Sequence, residues 1–386
     1  MNEFQQLIYN RLDKIDESNL PKHVKDVANK VALCRTNAMP GRLYSCPNGH
    51  FSIFYRESCN SRACPTCQHE NKQNWNSNTK ELVLDVPHYH IVFKLPSFCY
   101  PYVNKFYKQF IHILFNTSNQ AILSILKYSQ YKNTTPGFIS VLHTHGDELQ
   151  LHPHLHMILS SVTFDKKNNR IFHINESLFN INDFQDFYIT LLKNELLKLY
   201  FKFPDIGELF LKQVRNIKEQ RIFLSQRYDT ATHLIDYLTN TIKGSGINLH
   251  ELDKNQDHII INRKESSTSL QDNEFIRRYL LHILPPYTKS IRYMGFYSTA
   301  SRATLQEINF LLAEEKIMLF DELYDSDFNL NKEQIIDKLE PHKFCPLCNA
   351  RMFLAEEVDE YKAPSILRIK FGKDPPLEDL FKRLIA

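Results

Sequence analysis

The sequence of 386 residues contains only nine glycines, and it has neither a Walker-type phosphate loop nor a dinucleotide-binding fingerprint. This scarcity argues against an enzyme that holds ATP or NAD on a glycine-rich loop. No run of about 18 apolar residues occurs, so no membrane span is expected. The formal net charge is only +3, and charge alone therefore does not indicate a nucleic-acid partner. The length allows two or three domains with a sizeable core.

A secretory signal is also not expected, since charged residues interrupt the amphipathic N-terminal segment. In a protein that is not exported, eight cysteines are not expected to form disulfides. Two knuckles, Cys64-Pro-Thr-Cys67 and Cys345-Pro-Leu-Cys348, have a spacing typical of zinc ligands. Further candidate ligands lie upstream of the first knuckle: Cys34, Cys46, His50 and Cys59. We therefore predict structural zinc, with one or two ions.

The pairing of these ligands stays open in the sequence. One possible site combines Cys46 and His50 with Cys64 and Cys67. A second would then combine Cys34 and Cys59 with Cys345 and Cys348. The alternative is a set of unrelated buried thiols, which is how we interpret Cys99. Basic residues near the first knuckle, among them Arg42 and Arg62, alternate with aromatic residues and are candidates for DNA contacts, although a solvated basic surface would look the same.

The segment Leu149–Ser160, LQLHPHLHMILS, places histidines at every second position. In a strand, alternate side chains share a face, so His152, His154 and His156 would lie opposite an apolar face. Adjacent neutral imidazoles can bind one cation. The preceding strand of a predicted hairpin carries His143 and His145, and either offers a third ligand. A polar strand edge is the alternative, and we assign His88 and His90 to structural strand context.

A helix predicted over 227–243 has an apolar stripe of Ala231, Leu234, Ile235, Leu238 and Ile242. Tyr237 lies about 120° from the centre of this stripe, at 100° per residue. It is therefore not an obvious core residue and could project into a cleft, although most tyrosines serve packing or surface roles. Beside a histidine-bound cation, its oxygen could attack a phosphodiester and form a covalent phosphotyrosine.

Elsewhere, apolar periodicity predicts helices over 1–33, 98–128, 184–201, 273–284 and most of 301–340. Strands are predicted over 86–96, 258–263 and 290–298, with a hairpin over 137–160. The cysteine-rich stretch 34–67 has a loop-like pattern. Helices and strands alternate without a regular βαβ rhythm, which favours an α+β fold.

Six segments of the chain, taken in order, resemble rolling-circle transposases of the insertion-sequence 91 type. They are the cysteine-rich segment, VPHYHIVFKLP, VLHTHGDELQLHPHLHMIL, IDYLTNTIK, FIRRYLLHILPPYTKSIRYMGFYS and CPLCNARM. These are HUH endonucleases, where U is a hydrophobic residue. The resemblance covers about residues 30–355 and rests on the order of six motifs. It implies a ferredoxin-like antiparallel sheet that carries the metal histidines, with the catalytic tyrosine on a later helix. The expected domains are a helical zinc-finger DNA-binding domain (1–80), an HUH tyrosine nuclease domain (81–300) and a helical C-terminal region with the CPLC knuckle (301–386).

The resemblance assigns His154 and His156 to Mg²⁺ or Mn²⁺, with His143 as the candidate third ligand and His233 or Asn240 as rivals. Tyr237 corresponds to the nucleophile, which would nick and rejoin single-stranded DNA through a 5′-phosphotyrosine. Lys243 and Arg292 are candidates for neutralising phosphate charge. The expected partners are target DNA and single-stranded transposon ends, which are expected to contain hairpins. A host helicase is a further candidate partner, and no membrane partner is expected. The expected location is the nucleoid in the cytoplasm of a bacterial or archaeal host.

Two departures from the family pattern stand out. Many relatives carry a second tyrosine one turn after the first, where this chain has Thr241, so a single-tyrosine cycle is expected. The first knuckle of relatives usually has a second cysteine, where this chain has CPNGH, so His50 or another cysteine must complete that zinc. Two other classes remain open: a metal-dependent hydrolase or oxygenase that uses the same histidines, and a zinc DNA-binding protein without catalysis.

Overall fold

The computed structural model describes residues 1–17, 20–175, 181–218, 222–224, 227–241, 246–263, 266–321, 345, 347–348 and 350–358. The chain divides into two compact units, the first formed by residues 1–67 and 326–386 and the second by residues 68–325. None of the helices in these described ranges is long and apolar enough to cross a bilayer.

The first unit begins with three short helices, as the apolar periodicity of 1–33 predicts. They are α1 (Glu3–Tyr9), α2 (Leu12–Glu17) and α3 (Lys22–Ala32). A capping box of Asn2 and Gln5 starts α1, because each side chain accepts a hydrogen bond from the backbone N–H of the other. Gln5 also donates to the carbonyl of Cys34 at 2.8 Å. This buried contact fixes the chain where α3 ends and the cysteine-rich segment starts.

A three-stranded antiparallel sheet follows in the same unit. Its strands are β1 (Gly41–Ser45), β2 (Ser52–Arg56) and β12 (Phe353–Val358), in the order β12–β1–β2. The loop-like expectation for 34–67 was wrong here, and so was the helical expectation for 301–386 at 353–358. The segment FLAEEV is rich in helix-forming residues, but pairing with β1 over Gly41–Ser45 overrides that preference.

The second unit starts within α4 (Pro65–Leu82). Its further helices are α5 (Tyr100–Val103), α6 (Tyr107–Lys127), α7 (Ile181–Lys202), α8 (Glu208–Arg215), α9 (Ala231–Thr241), α10 (Asp272–Leu281) and α11 (Arg302–Asp321). Its strands are β3 (His88–Lys94), β4 (Thr135–His145), β5 (Leu151–Asp165), β6 (Arg170–His173), β7 (Phe223–Leu224), β8 (Leu252–Asn255), β9 (His258–Asn262), β10 (Ser267–Gln271) and β11 (Ile291–Gly295). A small sheet has the order β10–β9–β8.

The large sheet has the order β11–β4–β5–β3–β7, and β6 pairs with β5. Every one of these pairings is antiparallel. One face, with Phe93, Leu155 and Met157, packs against α6, α7 and α8. The opposite face, with Val141 and Ile158, packs against α9 and α11. Each fully buried side chain of this kind contributes about 1.5–3 kcal/mol, so the two helix layers fix which strand residues point to which side.

Candidate metal centre and nucleophile

The hairpin of β4 and β5 carries the histidine cluster, as the sequence predicts. His143 pairs with His154, and Val141 pairs with His156. Leu155 and Met157 are fully buried in the core on the side of α6 and α7. Alternation along β5 therefore turns His154 and His156 to the opposite face, where α9 lies. The hairpin closes through the N–H of Gly146, which donates to the carbonyl of Gln150 at 3.0 Å.

The rings of His143, His154 and His156 offer nitrogens that all lie within 4.8 Å of one another. Nδ1 of His143 lies 3.0 Å from Nε2 of His154. Nδ1 of His154 donates to the carbonyl of His152 at 2.7 Å, which leaves the lone pair of His154 on Nε2, facing the cluster. Nε2 of His156 is buried and has no hydrogen-bond partner among the residues that the structure describes. A divalent cation would satisfy this nitrogen, so the three residues fit one metal ion.

Burial keeps these imidazoles neutral. It lowers the pKa of His154 to about 4 and the pKa values of His143 and His156 well below the usual value, and repulsion from neighbouring histidines adds to the effect. A neutral imidazole is the form that binds a metal. At neutral pH, therefore, no proton has to leave these ligands when a cation binds.

Other histidines line the cluster without belonging to the set of three. The ring of His152 packs on Tyr100, with centroids 5.4 Å apart, and its carbonyl orients His154. His145 contacts His143 through Nε2. Gly246, at φ +77°, lies so close to the His145 ring that a Cβ would come within 2.4 Å of it. The backbone at residue 246 thus covers this end of the cluster.

His90 is a functional candidate that the sequence reasoning missed. It lies on β3, is buried, and its Nε2 is 2.8 Å from Nδ1 of His156. Its ring centroid lies 6.0 Å from that of Tyr237, in an edge-on arrangement. The alternation of HYH in phase with HLH on a neighbouring strand was the available signal. Without the β3–β5 register, which pairs Val92 with His156, that signal could not be used.

Tyr237 lies on α9 above the histidine face of the sheet. The predicted stripe packs as expected: Ala231, Leu234, Ile235 and Leu238 are all buried in the core below α9. Ile242 lies outside the described residues. Tyr237 itself is 46% exposed, so it is not a core residue. Two ring contacts in series, 6.0 Å from Tyr237 to His90 and 5.1 Å from His90 to His156, connect the phenol to the cluster.

Arg292, one of the candidates for phosphate binding, does not lie at this centre. Arg292 on β11 places its guanidinium 3.8 Å above the ring of Phe115, a residue of α6, so it lies on the other face of the sheet from the histidines. Lys243 lies outside the described residues, as does the side chain of Asn240. In the first unit, Arg42 forms an exposed ion pair of 3.2 Å with Glu57. Arg62, which lies between Cys59 and Cys64 in the sequence, is half-buried.

The zinc-ligand candidates form two clusters in the first unit, and neither has the composition suggested from the sequence. Cys34, Cys59, Cys64 and Cys67 form one cluster, and Cys46, His50, Cys345 and Cys348 form the other. The suggested sets were wrong because the sheet decides the partners. The turn between β1 and β2 holds Cys46 and His50, and β12 pairs with β1 and brings the second knuckle beside them.

Both clusters have dimensions suited to zinc. Sγ of Cys67 lies 3.4 Å from that of Cys34 and 3.6 Å from that of Cys59. Sγ of Cys46 lies 3.6 Å from that of Cys348. A tetrahedral zinc with Zn–S bonds of about 2.3 Å requires sulfurs about 3.8 Å apart. The fit of donor type, number and spacing therefore supports structural zinc.

Hydrogen bonds prepare several of these thiols for metal binding. The backbone N–H of Ala350, followed by the His50 ring, lowers the pKa of Cys348 to about 6. Hydrogen bonds from Cys59 and Cys64 lower the pKa of Cys34 to about 7. Thiolate is the ligand form of cysteine, so each cluster contains a thiol that gives up its proton near neutral pH.

Two family models match the chain. The model for the transposase zinc-binding domain of the insertion-sequence 91 type matches residues 4–95, and the model described as "Putative transposase" matches residues 137–304. A cysteine-rich zinc-binding unit joined to a second, transposase unit defines a DNA-processing enzyme. The chain belongs to the transposases of the insertion-sequence 91 type.

Individual relatives agree with this family. The chain is 25% identical over 322 residues to "Putative transposase y4qJ" of Sinorhizobium fredii, which covers 76% of this chain and 79% of the relative. It is 26% identical over 166 residues to the transposase for insertion sequence element IS801 of Pseudomonas savastanoi pv. phaseolicola, which covers 41% of this chain and 39% of that relative. No solved structure matches the chain at a significant level.

Proposed function

We propose that this transposase nicks and rejoins single-stranded DNA at transposon ends through a 5′-phosphotyrosine intermediate, as in rolling-circle transposition. The observation that carries the proposal is the position of His90, whose Nε2 lies 2.8 Å from Nδ1 of His156 in the metal-binding set and whose ring centroid lies 6.0 Å from that of Tyr237. On this proposal, a nucleophile and a cation site that share one neighbouring side chain would act on the same phosphodiester.

His143, His154 and His156 would hold the catalytic ion, Mg²⁺ or Mn²⁺. Such an ion supplies neutralisation of the phosphate charge and polarisation of its P–O bonds. Three imidazole nitrogens suit Mn²⁺ better than Mg²⁺, because Mg²⁺ prefers oxygen ligands and keeps its waters. The half-exposed position of Tyr237 leaves room for a DNA strand beside the cluster.

In the cleavage step, the phenolic oxygen of Tyr237 attacks the phosphorus atom. A new bond joins this oxygen to phosphorus, the bond from phosphorus to the 3′-oxygen breaks, and the phenol proton ends on the departing 3′-hydroxyl. The energy of the phosphodiester is kept in the phosphotyrosine link, so a later 3′-hydroxyl can reverse the step without ATP. With Thr241 where many relatives have a second tyrosine, a cycle with one nucleophile is the proposed form.

His90 would act as a positioning residue for this centre. With Nε2 available to hold the ion, His156 would carry its proton on Nδ1 and donate a hydrogen bond to Nε2 of His90. The 2.8 Å contact then fixes both the tautomer and the rotation of the His156 ring. Because the His90 ring also neighbours that of Tyr237, the same side chain would help to set the distance between nucleophile and ion.

The strand arrangement supports a ferredoxin-like HUH architecture. The central strands have the order β7–β3–β5–β4, all antiparallel. Helix α6 connects β3 to β4, and helices α7 and α8 connect β5 to β7, on the same face of the sheet. Two β–α–β units interleaved in this way are the definition of the fold. The histidine set occupies the other face, below α9.

The first unit would serve recognition of DNA. We propose one zinc bound by Cys34, Cys59, Cys64 and Cys67 and a second bound by Cys46, His50, Cys345 and Cys348. Arg42 and Arg62 remain the proposed contacts to the DNA backbone. The three-domain division expected from the sequence remains a proposal, as do hairpin-containing transposon ends and target DNA as substrates, a host helicase as partner and the nucleoid of a bacterial or archaeal cell as the location.

The test uses labelled single-stranded oligonucleotides that cover the DNA flanking the gene on both sides, with Mn²⁺ present. The wild-type protein should nick one of them and migrate with covalently attached DNA in a denaturing gel. The Tyr237→Phe variant should bind the strand and give neither product. Tyr228→Phe is the matched control and should keep both. Complex formation without any nick in the wild type would instead favour a zinc DNA-binding protein.

A further inference from the structure

The loop between α10 and β11 carries Tyr287, the most exposed large hydrophobic residue of the described ranges. Pro285–Thr288 form a tight turn, in which the N–H of Thr288 donates to the carbonyl of Pro285 at 3.2 Å. Tyr287 occupies the second central position of this turn, with φ +64°. Its side chain has a relative exposure of 101%. The ring thus projects fully into solvent from the tip of the loop.

This position is unfavourable for a tyrosine in two respects. A positive φ at the second central position of a turn is the place of glycine or asparagine, because a Cβ and a bulky side chain are strained there. Full exposure means that the ring gains no packing energy from the folded chain. A strained backbone that presents an exposed aromatic ring is an observation from which a functional role can be inferred.

Both ends of the loop are attached to the hairpin that carries the metal-binding histidines. At one end, Nε2 of His282 donates a hydrogen bond of 2.9 Å to the carbonyl of Leu149, and its Nδ1 accepts one of 3.1 Å from the hydroxyl of Thr144. At the other end, the N–H of Leu142 donates to the carbonyl of Ser290 at 2.7 Å. The three residues from Ser290 to Tyr287 span at most about 11 Å. The backbone of Tyr287 therefore lies within about 11 Å of Ser290, the residue that is bonded to Leu142 next to His143.

We propose that Tyr287 stacks on an unpaired nucleobase of the DNA strand that enters this centre. The inference rests on the proposed function, which supplies single-stranded DNA as the ligand. Aromatic rings bind unpaired bases of any sequence through their faces, and a ring that is already exposed needs no rearrangement. Lys289, exposed two residues further on, can contact the backbone phosphate beside the stacked base.

The experiment compares two probes of equal charge: a fluorescein-labelled strand of twenty thymidines and a strand of twenty abasic nucleotides. Affinity for each is measured by fluorescence anisotropy, and melting temperature is measured in parallel. Tyr287→Gly should weaken binding of the thymidine strand about 5- to 100-fold and binding of the abasic strand less than twofold. Because the turn favours glycine, this variant should not melt at a lower temperature than the wild type.

Two further variants sharpen the comparison. Tyr287→Trp keeps a stacking ring and should bind the thymidine strand at least as well as the wild type. Phe201→Ala removes another exposed aromatic ring, at the end of α7, which packs on the face of the sheet opposite the histidines. This variant should bind both probes with the affinity of the wild type. Equal affinities of the wild type and Tyr287→Gly for the thymidine strand would overturn the proposal. An equal loss on both probes would overturn it as well. Covalent capture of DNA by Tyr237 is scored separately, so failure of that reaction would be distinguished from failure of stacking.

Discussion

Removal of one imidazole from the histidine set should abolish a metal-dependent gain in stability. Within the described part of the chain, the buried Nε2 of His156 has no hydrogen-bond partner, so an ion bound there would supply a contact that the metal-free protein lacks. A ligand at 100 times its dissociation constant that binds only the folded state stabilises by about 2.7 kcal/mol. For a unit of the size of residues 68–325, this corresponds to a rise in melting temperature of roughly 5–10 °C. His156→Gln should show no such rise.

The assay is calorimetry of the zinc-loaded protein with Mn²⁺ added in steps. His282→Gln is the matched control, because His282 is an equally buried histidine hydrogen-bonded to the same hairpin but outside the set of three. Both variants lose a buried imidazole, so their metal-free proteins should be destabilised to a similar degree. Only His282→Gln should keep the Mn²⁺-dependent rise. A rise that persists in His156→Gln, or an unresponsive wild type, would refute the assignment of the metal site.

Three further outcomes are expected. His90→Ala should raise the Mn²⁺ concentration needed for half-maximal stabilisation about 10- to 100-fold, measured by the same titration. His90→Gln should recover part of this lost affinity for Mn²⁺. An unchanged Mn²⁺ concentration in His90→Ala would exclude a positioning role. Burial lowers the pKa of His88 to about 4, so on acidification the unfolded chain protonates this imidazole before the folded chain does, and the free energy of unfolding should fall between about pH 6.5 and 4. In His88→Gln, urea unfolding should show this fall reduced by up to about 3 kcal/mol. An unchanged dependence of stability on pH in this variant would count against the prediction. Cys67→Ser should release one zinc per chain by metal analysis, and retention of two would remove Cys67 as a ligand.

Much of the second unit could be predicted because its signals are local. The hairpin of β4 and β5 follows from alternation on either side of Gly146, and the packing of α9 follows from its apolar stripe. These two features already define the histidine face and the helix that carries Tyr237.

Features that depend on distant pairing could not be obtained in this way. The role of His90 needs the β3–β5 register, and the zinc clusters need β12, which lies about 300 residues from β1 in the sequence and pairs with it. The position of Arg292 could not be predicted for a related reason. Its place on a short strand does not reveal which face it occupies, and the structure turns it towards Phe115.

The central claim is tested most directly by locating the covalent bond to DNA. After cleavage in Mn²⁺, digestion of the protein with trypsin and of the DNA with nuclease would leave a nucleotide on a single peptide. The account predicts attachment to the peptide 228–243, with fragmentation placing the phosphate on Tyr237 rather than on Tyr228. Attachment to another tyrosine, or strand cleavage with no peptide-linked nucleotide, would contradict it.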